Sequence, residues 1–325
     1  MKERMMKVGF EKIRDVIRMA EKSQEPLDIS VLSGYSGKNI VRTLQKLCQL
    51  YETCCDGCYL EIGVFQGLTL LSAAQSAKET ACYGIDNFQF FDPEGENLRL
   101  VNERKRKLGI NNAHVIESDY EDALEHLNEH ISHEKVNVYF IDGPHDYRSQ
   151  LMCLKYILPY LNDEAVIIVD DCNYAHVRQA NRDFLATHQD FKLLFESYTA
   201  CHPHNMNSEE RKKAIDGWWN GVNIIVRDPG NQLAPMLPPT ERSRILFEND
   251  HVTHASRIAH LAPAALDFFN YIFTGKLIKA ARAFTRAFLL YVRTRKSLAG
   301  RYDNMNTYSQ ALPTSRYNKQ LEPSI

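Results

Sequence analysis

The sequence lacks a strong net charge, a long apolar run and a secretory leader. Its 39 Lys and Arg residues nearly balance 41 Asp and Glu residues, giving a net charge of −2. No general basic field therefore attracts nucleic acid. No apolar stretch approaches the roughly 18–20 residues that a membrane-spanning helix needs. Residues 1–22 are charged and helix-like, unlike a signal peptide. These absences predict a cytoplasmic protein with no nucleic-acid partner.

Cysteine is present, but not in the pattern of a disulfide framework. Eight cysteines in 325 residues, without a secretory signal, are typical of reduced cytosolic thiols. Cys55 and Cys58 form a CxxC pair, yet a structural zinc site normally takes four ligands, and the sequence has no second pair of this kind. The CHPH segment at 201–204 could supply the missing ligands. Buried or half-buried thiols remain the favoured interpretation.

The order of sequence textures predicts five regions. An N-terminal helical cap covers 1–53, and an α/β domain covers 54–228. A Pro-rich linker follows at 229–262, because DPGNQLAPMLPP cannot continue a regular element. An amphipathic helical extension covers 263–298, and 299–325 is polar and aperiodic, which predicts a flexible tail. A hydrophobic content of 44% suits a protein with a sizeable core.

The α/β region alternates short apolar runs with longer amphipathic stretches. Such alternation predicts parallel βαβ units in a doubly wound sheet. After the fifth strand the rhythm breaks, because the polar segment 199–220 shows no regular amphipathic helix and reads as a lid. Its flanking strands predict an antiparallel pair at the sheet edge. The predicted fold is α/β, a mostly parallel seven-stranded sheet with strands at 58–64, 82–86, 113–119, 137–142, 165–171, 191–198 and 221–228.

Acidic residues stand at the ends of the first five predicted strands. In a doubly wound sheet, ligands bind outside the carboxyl ends of the strands. The acidic residues are more numerous than turns alone require, which predicts a functional rim. They are Glu61, Asp86, Asp119, Asp142 and the pair Asp170-Asp171.

The first strand is followed by an ExGxxxG loop instead of a dinucleotide-binding GxGxxG loop. Glu61 beside this loop repels phosphate and attracts a ligand with an ammonium group. Gly63 and Gly67 still allow close approach of the backbone to a ligand. Asp86, at the end of the second strand, can accept both hydroxyls of a ribose. The loop therefore predicts a nucleoside ligand with a positive, amine-bearing end and no phosphates.

Three segments in this order resemble the class I S-adenosylmethionine-dependent methyltransferases. They are EIGVFQG at 61–67, FIDGPHDY at 140–147 and VIIVDD at 166–171. The resemblance covers about residues 50–228, and within this class the sequence is similar to the metal-dependent O-methyltransferases of sugars and other small molecules. Catechol-type O-methyltransferases usually have Asp-Asn where this sequence has Asp170-Asp171, which favours the sugar-type relatives.

The resemblance implies a cofactor, a metal and a general base. S-adenosylmethionine would bind Glu61, Gly63, Gly67 and Asp86, with Ser118 and Asp119 at the adenine. Because Asp142, Asp170 and Asp171 follow neighbouring strands, they can converge on one hard cation, and carboxylates suit Mg²⁺. His145 would take the proton of the acceptor hydroxyl. The expected partner is a hydroxylated small molecule such as a sugar or a glycoside.

Ordinary structural roles compete with each of these assignments. Asp142 could cap the following helix while His145 is solvated, and Asp170-Asp171 could be helix caps. Glu61 could be a structural carboxylate. Among other functions, a nicotinamide-dependent oxidoreductase is disfavoured by the missing GxGxxG loop. A non-enzymatic scaffold that acts through its C-terminal helix is the main alternative.

The segment 264–296 combines an apolar helical face with a basic one. Seven basic residues stand against the single Asp267. One interpretation is packing on its own domain or in a homo-oligomer. The other is peripheral docking on anionic lipid.

Overall fold

The computed structural model describes residues 8–23, 31–89, 91–92, 94–131, 135–242 and 261–297. The chain divides into two units, Met1–Ser243 and Arg244–Ile325. The alternating apolar runs of the first unit form seven strands, as the sequence predicts. These strands are β1 (Cys58–Ile62), β2 (Cys82–Asp86), β3 (Ala113–Glu117), β4 (Val136–Ile141), β5 (Leu161–Val169), β6 (Phe191–Ser197) and β7 (Val222–Arg227).

The strand order is β3-β2-β1-β4-β5-β7-β6. The first five strands are mutually parallel, and β7 runs antiparallel to both β5 and β6. The predicted doubly wound, mostly parallel seven-stranded α/β fold is therefore confirmed. The chain winds outward from β1 to β3 and then returns to β4, so the switch point of the topology lies between β1 and β4. Ligands bind at such a point, outside the carboxyl ends of the strands.

Helices cover both faces of the sheet. The side chains of β4 alternate, so that Phe140 joins the core on one face and Tyr139 and Ile141 join the core on the other. The described residues of this unit also include two short 3₁₀ helices, Leu158–Tyr160 and Pro203–Asn205. The helices are α1 (Phe10–Lys22), α2 (Lys38–Glu52), α3 (Leu68–Ser76), α4 (Asn97–Leu108), α5 (Tyr120–Glu125), α6 (Leu127–Ile131), α7 (Tyr147–Tyr156), α8 (Ala175–Thr187) and α9 (Ser208–Asp216).

Helix α9 is the main difference from the sequence expectation in this unit. The polar segment between β6 and β7 was expected to hold no regular helix. A capping box forms there, because the Asn207 side chain accepts from the Glu210 N–H while the Glu210 carboxylate accepts from the Asn207 N–H. These reciprocal bonds satisfy two of the free donors at a helix start. The cap thus supports a helix that has little apolar periodicity.

The described part of the second unit, residues 261–297, contains two helices, α10 (Ala262–Phe273) and α11 (Leu277–Ser297). The sequence predicts one helical segment at 263–298, but Gly275 adopts a left-handed conformation with φ +70° and divides it. Among the described helices, none is long and apolar enough to cross a membrane. The predicted tail at 299–325 and most of the predicted linker at 229–262 lie outside the described residues.

Candidate active site

The carboxyl ends of β1, β4 and β5 lie side by side at the switch point. Backbone hydrogen bonds continue the pairing one residue past the strands, from the Asp142 N–H to Ile62 O at 2.9 Å and from the Asp170 N–H to Ile141 O at 3.0 Å. The acidic residues after β4 and β5 are therefore held in register. This is why aspartates 28 residues apart in the sequence, such as Asp142 and Asp170, become neighbours.

Asp142, His145 and Asp171 form one cluster. Each offers a ligand atom, and these atoms lie within 4.8 Å of one another. The His145 Nε2 atom is 2.8 Å from Asp171 Oδ2. Asp170 stands just behind, where its Oδ1 accepts the Asp171 N–H at 2.8 Å and its Oδ2 faces the Ser36 hydroxyl at 3.4 Å. Among the described residues, Asp170 is not part of the group that could share one ion.

Burial and mutual repulsion raise the pKa values of two carboxyls at this site, Asp142 and Asp170. Burial, followed by the charge of Asp171, raises the pKa of Asp142 to about 7. Burial, followed by the charges of Asp142 and Asp171, raises the pKa of Asp170 well above its ordinary range. Burial alone would lower the pKa of His145, but its hydrogen bond to Asp171 and the nearby carboxylates outweigh burial and raise it. The site therefore gathers more buried carboxyl groups than its single imidazole can neutralise.

A divalent cation fits this donor set. In the described part of the chain, no lysine or arginine forms an ion pair with Asp142, Asp170 or Asp171, and His145 is the single basic partner recorded there. Carboxylate oxygens are the ligands that Mg²⁺ and Mn²⁺ prefer. A cation would compensate the charges that burial otherwise disfavours.

Helix capping does not account for these aspartates. The N-cap of α7 is Asp146, whose side chain accepts the Ser149 N–H at 3.0 Å, and the N-cap of α8 is Tyr174. Asp171 instead has a left-handed backbone with φ +56°, which costs free energy for a residue with a side chain. Strain of this kind is typical of positions that serve a site.

The glycine loop after β1 lies directly against the cluster. Gly63 has φ +89°, and a Cβ atom at this position would lie 2.0 Å from the carbonyl oxygen of Asp142. Gly67, with φ +82°, leads into α3. Both predicted glycines are therefore at positions that a side chain would disrupt. Gly63 also brings the loop against the backbone of Asp142, the residue that follows β4.

Asp86, at the end of β2, accepts hydrogen bonds from the backbone of the same loop. One of its oxygens, Oδ2, accepts the N–H groups of Val64 and Phe65, both at 2.8 Å. The other, Oδ1, accepts the Phe88 N–H at 2.7 Å. The residue predicted to hold a ribose thus also fixes the loop. Its Oδ1 retains one free lone pair, since a carboxylate oxygen can accept two hydrogen bonds.

Glu61 is completely buried beneath the loop. Its Oε2 accepts the Tyr59 hydroxyl, while Oε1 has no hydrogen-bond partner. Burial raises the pKa of Glu61 to about 8. Of the two residues expected at the adenine, Ser118 is half-buried, and Asp119 is exposed and caps α5 by accepting the Glu121 N–H at 2.9 Å.

A cavity of about 370 Å³ lies beside the cluster, between the start of α8 and the segment after β6. Tyr174 borders it and stacks on His145, with ring centroids 5.3 Å apart. Asn220 links the cavity to the cluster: its Nδ2 donates to Asp171 Oδ1 at 2.7 Å, and its buried Oδ1 has no partner. Other lining residues are Asn173, Tyr198, Thr199 and His202.

Sequence reasoning missed several residues of this region. Asn220 was unnoticed, although it directly follows the two tryptophans before β7. Tyr35 was also missed, because it lies in a loop without periodicity; its ring stacks on Phe65 at 5.4 Å and on Trp219 at 6.4 Å. Trp218 packs against Phe195 and joins the core. Tyr35 and Trp219 form an aromatic surface beside the glycine loop.

Residues 60–172 match the family model described as a methyltransferase domain. A protein called uncharacterized protein R132, from Acanthamoeba polyphaga mimivirus, is 28% identical over 128 residues, which are 39% of this chain. The match spans 57% of the viral protein, little more than half its length.

Two solved structures illustrate the structural similarities. An O-methyltransferase from Bacillus cereus in complex with SAH is 15% identical, covering 70% of this chain and 94% of that one, with a TM-score of 0.45. The O-methyltransferase TomG from Streptomyces achromogenes, involved in tomaymycin synthesis and solved with SAM, is 14% identical, covering 70% and 92%, with a TM-score of 0.43.

The matched residues 60–172 run from β1 to just past β5 and so include the glycine loop and every member of the acidic cluster. The strand order, with β7 antiparallel between β5 and β6, agrees with the fold expected from the resemblance. Residues 60–172 of this chain therefore match a methyltransferase domain, on a sheet with the strand order that the resemblance implies.

Proposed function

We propose that the protein is an O-methyltransferase that methylates a hydroxyl of a small-molecule acceptor with the help of a divalent cation, Mg²⁺ being the best suited. The observation that carries this proposal is the convergence of Asp142, His145 and Asp171, within 4.8 Å, directly beside the glycine loop. Activation of a hydroxyl requires a cation and a proton acceptor close to the bound cofactor, and this cluster lies beside the loop that would hold the cofactor.

The cofactor site would comprise Glu61, the glycine loop and Asp86. Bound S-adenosylmethionine supplies an electrophilic methyl group on a sulfonium. Gly63 and Gly67 allow the backbone to approach it, and the free lone pair of Asp86 Oδ1 suits a ribose hydroxyl. Glu61 would face the ammonium group through Oε1, which has no hydrogen-bond partner, and the positive charge of the bound cofactor would favour the ionised carboxylate. Ser118 and Asp119, at the end of β3, would border the adenine.

The cation would be held by Asp142 and Asp171, with Asp170 as the third carboxylate behind them. A cation at this position supplies positive charge that lowers the pKa of an acceptor hydroxyl. Asp170 orders Asp171 through the bond to its N–H. Asn220 donates to Asp171 Oδ1, the carboxylate oxygen that does not contact His145. These two contacts fix the direction in which the Asp171 carboxylate points.

His145 would act as the general base. Because Asp171 engages Nε2, the imidazole is oriented, and Nδ1 is the nitrogen that receives the proton. The acceptor oxygen forms the new C–O bond as the methyl C–S bond breaks, and the hydroxyl proton moves to His145. Tyr174, stacked on the imidazole, keeps the ring in place during this transfer.

The acceptor would occupy the cavity beside the cluster. Its size, about 370 Å³, is in the range of small-molecule sites. Aromatic faces such as Tyr174 pack well against the C–H face of a sugar ring. The uncoordinated amide oxygen of Asn220 and the imidazole of His202 suit hydroxyl partners. This combination favours a sugar or glycoside.

The decisive experiment combines calorimetry with a methyl-transfer assay. The protein should bind S-adenosylmethionine, and it should transfer labelled methyl groups to a member of a panel of sugars, glycosides and catechols in the presence of Mg²⁺. Excess EDTA should abolish transfer and preserve cofactor binding. Asp142→Asn should behave like EDTA treatment, whereas Asp163→Asn, an exposed aspartate far from the site, should not.

Two results would contradict the proposal. Full turnover in excess EDTA would exclude the metal. Absence of cofactor binding would favour the non-enzymatic scaffold.

A further inference from the structure

The C-terminal hairpin, defined as α10 and α11, buries small side chains and exposes large apolar ones. The two helices contact each other, and the buried side chains of the pair are small. These are Ala264, Ala280, Ala283 and Thr294. Large apolar side chains face outward instead, with Phe273 91% and Ile278 74% exposed. A helix pair stabilised in water buries its large apolar side chains and exposes its small ones.

Exposed apolar side chains recur along one side of α11 and continue onto the turn and α10 in the sequence. On α11, Leu277, Phe284, Phe288 and Tyr291 recur at intervals of seven, four and three residues, which places them on one side of a helix. Others lie on α10 and at the turn. Most of the exposed large apolar side chains among the described residues lie in this hairpin, whereas ordinary protein surfaces carry such residues singly. The additional exposed residues are Leu266, Phe269, Ile272 and Leu289.

The same hairpin and its turn are strongly basic. The described residues 261–297 contain seven lysines and arginines but a single acidic residue, Asp267, which pairs with Arg286. The whole chain has a net charge of −2, so basic charge is concentrated here. The bases are Lys276, Lys279, Arg282, Arg286, Arg293, Arg295 and Lys296.

We propose that the C-terminal hairpin docks in the plane of an anionic lipid bilayer. Its apolar face would enter the boundary between headgroups and acyl chains, and its bases would contact anionic headgroups. Helices that meet through small residues and present large ones outward are suited to an apolar environment. A second copy of this chain fits less well, because an identical face would bring the same excess of positive charge against itself.

The test is co-flotation of the full-length protein with vesicles at low salt. Vesicles of phosphatidylcholine with one third phosphatidylserine should carry the protein, and vesicles of phosphatidylcholine alone should carry much less. Binding should fall as salt is added, because screening weakens the attraction of the bases. Lys279→Gln with Arg282→Gln should weaken partitioning by roughly 5-fold for each base removed.

Matched variants distinguish binding through the apolar side chains of the hairpin from non-specific hydrophobic adsorption to vesicles. Phe284→Ser with Phe288→Ser should abolish flotation, whereas Phe91→Ser, which removes an 82% exposed ring from the first unit, should not change it. All of these side chains are exposed, so folding should survive, and circular dichroism checks it. The inference is overturned if the wild-type protein stays at the bottom of the gradient. It is also overturned if the two serines leave flotation unchanged, or if they only dissolve a dimer seen by light scattering.

Discussion

Replacing Glu61 with glutamine should stabilise the fold at pH 8 and change it little at pH 5. The pKa of Glu61 is about 8 because burial disfavours the charged carboxylate, and the hydrogen bond from Tyr59 opposes burial only in part. In the unfolded chain, the same group titrates near its ordinary value of 4.5. Between these values, the folded protein holds a proton that the unfolded chain has lost. The free energy of unfolding therefore falls as the pH rises from about 4.5 to about 8.

The magnitude follows from the two titration points. One pH unit corresponds to about 1.36 kcal/mol, so linkage between pH 5 and pH 8 gives at most about 3.5 kcal/mol. Relaxation around the ionised group reduces this limit, and we expect a loss of about 1–3 kcal/mol for the wild-type protein. Glutamine keeps a neutral acceptor for Tyr59 and does not titrate. The variant should therefore lack this part of the pH dependence.

Urea unfolding at several pH values between 5 and 8 provides the assay. Trp218 and Trp219 both lie beside β7, so fluorescence reports the unfolding of the sheet. Glu117→Gln, on the exposed side of β3, is the matched control and should follow the wild type. Parallel stability profiles for the wild type and Glu61→Gln would refute the reasoning. They would mean that Glu61 is already ionised in the folded protein near neutral pH.

Three further predictions concern the site. His145→Ala should reduce the rate by roughly 10²–10⁴ without unfolding the protein, while His176→Ala, an exposed imidazole on α8, should remain near wild type; turnover assays compare them. Asp86→Ala should weaken S-adenosylmethionine binding by at least roughly tenfold in calorimetry, because a charge-assisted bond to the ribose and the anchor of the loop are both lost. Asn220→Ala should raise the Mg²⁺ concentration needed for half-maximal activity by roughly 10–100-fold, since Asp171 loses its support; an unchanged requirement would leave Asn220 a purely structural residue.

The sheet could be predicted because buried parallel strands consist of short runs of apolar residues, which are visible in the sequence. Strand β2 was predicted with its observed bounds, 82–86, and the other strands to within a few residues. Strand β5 differs most: it begins at Leu161, earlier than predicted, because it pairs with β4 from its first residue, Leu161 opposite Val136. The match of residues 60–172 to a methyltransferase domain supports the resemblance for the same reason, since its motifs lie at strand ends.

The details of the site depend on contacts that no local pattern encodes. The bond between His145 and Asp171 joins a loop after β4 to one after β5, and the sequence offered His145 only as a base. Asn220 reaches Asp171 across 49 residues, without any motif. Asp86 was expected to face a ribose, but its bonds to the loop follow from the register of β1 against β2. Such pairings are fixed only when the sheet has assembled.

The close approach of Gly63 to Asp142 has a consequence for how this protein can vary. Any side chain at position 63 would displace the carbonyl of Asp142, so a change in the loop is transmitted to the end of β4. The glycine loop and the backbone that follows β4 therefore cannot move independently. A substitution at position 63 therefore also changes the geometry at Asp142, so variation in the loop is coupled to variation after β4.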